Sequence, residues 1–202
     1  MSKIKEFRGV KDLVYAEVTA DTESSYTTGE VKSLAGVASI SKETETSSET
    51  HYYDNKPAIV IASNGSDKIT ISVSALDEKV EADITGQDYF NGIYMEGEAT
   101  PKCFAIGYKT KKTDGSEVYV WRYKGTFSVP KREHNTENDG TDANGQELEF
   151  TGISTNYKFP NPDGTDKAKA LKGINVEKEK LAHPNTFFAA VVKPADLQIV
   201  AG

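Results

Sequence analysis

The sequence predicts a mostly β chain with one short helix, built as a single domain over residues 1–202. Three observations carry this. Runs rich in Val, Ile, Thr and Tyr recur along the chain, bounded by Gly, Asn, Asp and Pro. After Asn64-Gly65, residues Lys68, Thr70, Ser72 and Ser74 alternate with Ile69, Ile71, Val73 and Ala75, the signature of a strand with one buried face. Only one segment keeps a clear helical period: in ALDEKVEADITG, Leu76, Val80 and Ile84 fall at i, i+4 and i+8.

Taken in order, LVYAEVT (Leu13–Thr19) reads as a first strand and EVKSLAGVASIS (Glu30–Ser41) as a second, loosened by Gly36. Ala58–Leu76 reads as a hairpin with its tight turn at Asn64-Gly65, because both residues tolerate positive φ. The helix near 77–85 has Asp77 as N-cap, acids in its first turn and Gly86 to close it. It should lie across a sheet by its apolar stripe. Strands resume with KCFAIGYKTKK (Lys102–Lys112), a turn at Asp114-Gly115, and SEVYVWRYKGTFSVP (Ser116–Pro130). Lys131–Glu147 is a polar loop. Glu147–Phe159 reads as one long strand whose apolar parity changes across Gly152, as at a bulge. The last region holds a charged part and an apolar patch, Phe187–Val192, open between a short helix and a strand. No internal repeat and no second domain stand out.

At 202 residues the chain is long enough for a substantial core. No apolar run approaches a membrane span, and MSKIKEFRGVKDLVYAEV lacks the apolar centre of a secretory signal, so a soluble protein is expected. The lone Cys103 can form no internal disulfide, which suits a reducing compartment, and its apolar surroundings suggest a buried small side chain rather than a nucleophile. Charge is uneven. Residues 1–100 hold 9 Lys+Arg and 18 Asp+Glu; residues 101–202 hold 15 and 13. A net charge of −7 argues against nucleic-acid binding, which needs Lys and Arg to neutralise phosphate.

No motif announces catalysis. His51, His134 and His183 are scattered, no Cys-His zinc set exists, and neither a phosphate-binding glycine loop nor a nucleophile elbow is present. In DGTDANGQELE (Asp139–Glu149), aligning Gly145 to the fixed glycine of an EF-hand puts Gly140 and Thr151 at the first and last ligand positions, and both fail. A turn-rich loop is the simpler reading. Tyr119, Trp121, Tyr123 and Phe127 share a parity, with Arg122 and Lys124 on the other. Such a row can stack on single-stranded nucleic acid, but the acidic chain favours a core-facing row. No catalytic, cofactor or metal residues are assigned.

One stretch resists these readings. ETETSSETHYYDNK (Glu43–Lys56) opens with eight residues that lack any apolar side chain, yet Glu43, Glu45, Ser47 and Glu49 share one parity and Thr44, Thr46, Ser48 and Thr50 the other. It looks like an acid-faced strand with nothing to bury.

The succession of segments resembles the major tail protein, or tail tube protein, family of long-tailed bacteriophages of Gram-positive hosts. The resemblance runs in order over residues 9–194, through GVKDLVYAEVTADTESSYTTGEVKSLAGVASIS, YYDNKPAI, ALDEKVEADITG, NGIYMEG, TPKCFAIGY, WRYKGTFSVP, GQELEFTG and NTFFAAVVKP. Leu76 departs from the family's usual proline before Asp77 and leaves the cap intact. The resemblance implies a β-sandwich over 9–159 with one flanking helix and a long extended hairpin, and a C-terminal segment, 160–202, packed on the sandwich or a neighbour. It implies hexameric rings, their sheets completed between subunits, stacked into a tube that conducts DNA during ejection and catalyses nothing. The implied partners are copies of itself, tail terminator, tape measure and baseplate or distal tail proteins, and DNA passing without specific binding. The implied location is the virion, assembled in host cytoplasm, with no membrane. On this reading Glu43, Glu45 and Glu49 supply acid at the lumen or between rings, the chain turns near Thr46–Ser48, and Tyr52, Tyr53, Asp54 and Asn55 anchor the return strand. A carbohydrate- or receptor-binding sandwich is the alternative; it requires Tyr119, Trp121 and Tyr123 to face solvent. An enzyme would need a deep pocket with convergent acids.

Overall fold

The computed structural model describes residues 4–53, 56–132, 145–162 and 168–200. The chain begins with β1 (Phe7–Asp21), β2 (Tyr26–Thr28), β3 (Lys32–Ser33), β4 (Val37–Tyr53) and β5 (Lys56–Val73), followed by the helix α1 (Glu78–Thr85). Next come β6 (Asp88–Phe90), β7 (Ile93–Met95), β8 (Phe104–Lys112), β9 (Glu117–Phe127) and β10 (Gln146–Gly152). β11 (Lys158–Phe159), β12 (Lys169–Ala170) and β13 (Gly173–Glu177) precede three 3-10 turns at Lys178–Lys180, Pro184–Thr186 and Pro194–Asp196.

Nine strands form one antiparallel sheet in the order β2-β1-β8-β9-β10-β5-β4, with β3 beside β1 and β13 beside β9. The sheet curls until β1 and β4 touch. Inside the curl lies a core of Leu13, Tyr15, Ile69, Ile71, Phe104, Ile106, Val120, Leu148 and Phe150, closed by Ile84 of α1. Each large apolar side chain buried there contributes about 1.5–3 kcal/mol relative to exposure. α1 sits where the sequence places it: Asp77 accepts from Lys79 N, and Gly86 closes the helix at φ 72°. Val80 and Leu76 pack against the same core.

The opposite face of β8 and β9 is buried too. Ala105, Tyr119, Trp121 and Tyr123 meet Tyr26, Phe159, Leu181, Phe187 and Val191. Two covered faces explain why these strands read as almost continuous apolar runs. The cover is the C-terminal segment, which packs on its own chain. Its patch Phe187–Val192 is neither helix nor strand; it runs on as turns from Pro184–Thr186.

Several sequence expectations change. β5 runs unbroken through Asn64-Gly65, and Gly65 is not among the glycines with positive φ. Instead Gly65 and Ser66 stand opposite Glu45 between the pairs Thr44–Asp67 and Thr46–Asn64, a bulge rather than a turn. β4 likewise runs through Thr46–Ser48 without turning. The aromatic row divides: an extra residue in β9, between the pairs Ile106–Arg122 and Phe104–Gly125, sends Phe127 to the inner core while Tyr119, Trp121 and Tyr123 stay on the outer one. The strand from Glu147 stops at Gly152, and Phe159 belongs to β11. Glu30–Ser41 divides into β3 and β4 around the buried Leu34. Cys103 precedes β8 and is half-buried. The hairpin turn the sequence reading missed is Asn91-Gly92, with φ 47° and 87°, joining β6 to β7.

Candidate assembly surface

β10 pairs with β5 only from Asp67 to Val73. Beyond that, Glu45–Tyr53 of β4 and Lys56–Ser66 of β5 pair only with each other among the described residues. At about 3.3 Å per residue, this two-stranded ribbon extends roughly 30 Å past the body. On its other side β4 has no hydrogen-bonded strand among the described residues, although β1 lies against part of it.

Alternation fixes what the outer face presents. Where Ile69, Ile71, Leu148 and Phe150 point into the core, their neighbours Lys68, Thr70, Ser72, Glu147 and Glu149 point out. Ser39 joins them, its hydroxyl 3.1 Å from that of Ser72. Glu43 pairs in register with Lys68, and Glu45 and Glu49 follow on the same side. Lys68 bonds Glu149 at 2.9 Å, and Ser66 donates to Glu45 at 2.8 Å. Five carboxylates thus share one polar face with one lysine. The sequence reading found Glu43, Glu45 and Glu49; it missed Glu147 and Glu149, whose alternation with Leu148 and Phe150 is the signal. The side chains of Tyr52 and Tyr53, and the whole of Asp54 and Asn55, lie outside the described residues, and so does the proposed anchor they form.

At the ribbon's root sits Asp67, 3% exposed. It accepts from Thr44 at 2.9 Å, from Lys172 at 2.9 Å and from Lys42 at 3.4 Å. Lys172 also donates to the carbonyl of Gly65. Burial works against charge on Asp67, but Lys172, Thr44 and Lys42 outweigh it and hold the carboxyl below its ordinary range. One buried carboxylate therefore ties the bulge, β4 and the C-terminal segment together.

No family model matches the sequence, and no curated protein matches it.

A second polar cluster lies beside α1. Asp83 accepts from Tyr15 at 2.9 Å and from Lys32 at 2.7 Å, with Lys102 at 3.6 Å. Burial opposes the charge on Asp83, yet these partners keep its carboxyl below the usual range. The cluster walls an open cleft of about 470 Å³. Among the described residues, no group of three or more His, Cys, Asp or Glu is arranged to hold a metal ion. Most of Asp139–Glu149, and His134, lie outside the described residues. Tyr119, Trp121 and Tyr123 are at most 3% exposed, so they offer no platform for a sugar ring.

Proposed function

We propose that this chain is a structural subunit that polymerises into a tube, built as stacked hexameric rings, through which phage DNA passes. The observation that carries the reading is the β4–β5 ribbon. A two-stranded ribbon is at best marginal in water by itself, and the unpaired β4 edge of the ribbon invites pairing with another chain. A neighbouring copy pairing along β4 supports both, and successive copies close the sheets into a ring that leaves no edge.

The acidic outer face fits the same role. DNA carries about one charge per 1.7 Å of axis. A wall lined by Glu43, Glu45, Glu49, Glu147 and Glu149 repels the backbone and lets it slide, where a basic wall would hold it. The protein then acts on DNA by excluding it from contact and catalyses nothing. Electron microscopy of the purified protein at rising concentration tests the reading: rings and tubes with a central channel are expected. A protein that stays monomeric throughout, in sedimentation and in images, would refute it.

A further inference from the structure

Resting on that self-assembly reading, we infer that the β6–β7 hairpin docks, by its apolar face, into the groove beside β13 of a second copy of this chain. Cross-strand partners share a face, so Asp88, Phe90, Ile93 and Met95 lie together and Tyr89 and Tyr94 lie behind them. Phe90, Ile93 and Met95 are 65%, 59% and 46% exposed, an apolar face left open by its own chain. The hairpin is nevertheless held in place. Arg132, bonded to Glu81 at 2.9 Å, lies over the ring of Tyr94 at 4.7 Å. Gln87 exchanges two hydrogen bonds with the backbone of Gly97. A two-stranded hairpin is marginal alone; this one is pinned from behind and bare in front. A face fixed in advance loses little freedom on docking.

The receiving surface is where the outer core opens to solvent. A groove of about 340 Å³ runs beside β13, floored by Phe159, Leu171, Ile174, Val176, Leu197 and Ile199. All but Ile199 pack on or belong to the outer core, and Ile199 is 52% exposed. β13 pairs with β9 on one side and with no strand on the other among the described residues. The outer core thus ends in an apolar floor with an open strand edge beside it.

Charge and position single out the occupant. From Thr85 to Pro101 there is no Lys or Arg, and Asp88, Glu96 and Glu98 are exposed and make no ion pair among the described residues. At the groove, Lys169 and Lys180 are likewise exposed and without an ion pair among the described residues. Glu177, the one acid of the lining, faces Lys112 at 3.6 Å. An apolar hairpin with acids at its base therefore meets an apolar groove with lysines at its rim. The two surfaces lie apart in one chain. The hairpin packs on α1, which closes the inner core, whereas the groove continues the outer core across β9. Arg132 holds the hairpin just past Phe127, while β13 pairs with Val118–Arg122 toward the other end of β9. β9 spans roughly 35 Å over its 11 residues. A contact between such unlike surfaces repeats head to tail from copy to copy.

Photo-cross-linking tests the contact. Protein carrying p-benzoylphenylalanine in place of the exposed Phe90 is mixed with isotopically heavy wild type, and the cross-links are mapped by mass spectrometry. Light hairpin peptides joined to heavy peptides containing Leu171–Val176 or Leu197–Val200 are expected in the polymer fraction, and not at dilutions where the protein is unassembled. Substitution gives a second arm. F90D/I93D should raise the concentration needed for polymerisation at least tenfold, whereas V129D, at an apolar side chain 67% exposed elsewhere, should not. K169E/K180E and D88K/E96K should each weaken assembly, and an equimolar mixture should restore it. Polymers whose light–heavy cross-links from position 90 miss the groove overturn the assignment. So does F90D/I93D assembling at the wild-type concentration, or V129D impairing assembly as much. These results leave the tube reading standing. A wild type that never assembles removes the tube reading and this contact together.

Discussion

Asp67 shows how much one side chain decides. It sits where the ribbon leaves the body, buried, with Lys42, Thr44 and Lys172 on its carboxylate. Its folded pKa lies below its unfolded value, so its contribution to stability is fully present above the ordinary carboxylate range, near pH 3.9. That contribution is lost as pH falls through the depressed folded value. Glu117, between Lys11 and Lys178, acts in the same sense, its pKa held down to about 2 by those two hydrogen-bonded ammonium groups. Asp67→Asn should destabilise the fold by about 1–3 kcal/mol at pH 7, because it removes the charge facing two lysines. Urea unfolding at pH 7 and pH 3 checks this: the gap between wild type and variant should narrow at the lower pH. An equal gap at both values would show that the carboxylate's charge is not what matters. At the other end of the sheet, Asp21 is held in a comparable way by Lys124 and the backbone N–H groups of Asn156 and Tyr157.

At the scale of elements, α1 was fully legible in the sequence, since its period, its Asp77 cap and its closing Gly86 are all local signals. Asp77→Ala should cost about 1 kcal/mol. Gly86→Ala should cost more than that, because the position is left-handed and a Cβ there would run into the carbonyl of Thr100. Thermal denaturation of the pair ranks them; a Gly86→Ala variant as stable as wild type would contradict the geometry. The two Asn-Gly pairs mark where local signals stop. Asn91-Gly92 makes a hairpin turn, whereas Asn64-Gly65 is drawn through by a partner strand that stays paired for its whole length. The dipeptide permits a turn, and long-range pairing decides whether one forms. The bulges in β5 and β9 were equally hidden, because each depends on the register of a strand distant in sequence. The acidic parity of Glu43, Glu45 and Glu49 was legible, and survives because the extra residue falls on β5 and not on β4. Glu147 and Glu149 join that face only because β10 pairs with β5, which no local pattern states.

The whole molecule is polar in the geometric sense: an acidic two-stranded ribbon extends past one end of the sheet. The acids lie in two sets. Glu45 and Glu49 lie on the projecting ribbon, while Glu43, Glu147 and Glu149 lie over the body. Replacing the body set with lysine (E43K/E147K/E149K) should therefore leave assembly intact and slow DNA passage, measured as the rate of DNA ejection from particles carrying the variant. The Lys68–Glu149 pair lost in the process is surface-exposed and worth little. Ejection at the wild-type rate would remove those carboxylates from the channel wall.

The burial of Trp121 has a practical consequence. It is the only tryptophan in the chain, wholly buried, with its indole N–H 3.3 Å from the carbonyl of Phe187 and its ring 5.5 Å from that of Phe188. The strap that covers it is the C-terminal segment, while the inner core lies on the far side of β9. Tryptophan emission therefore works as a built-in optical gauge of one layer. A red shift that precedes the loss of β-sheet signal on heating or dilution would report the strap lifting from a sheet still intact. The chain thus carries, without any label, a meter for whether its outer layer loosens.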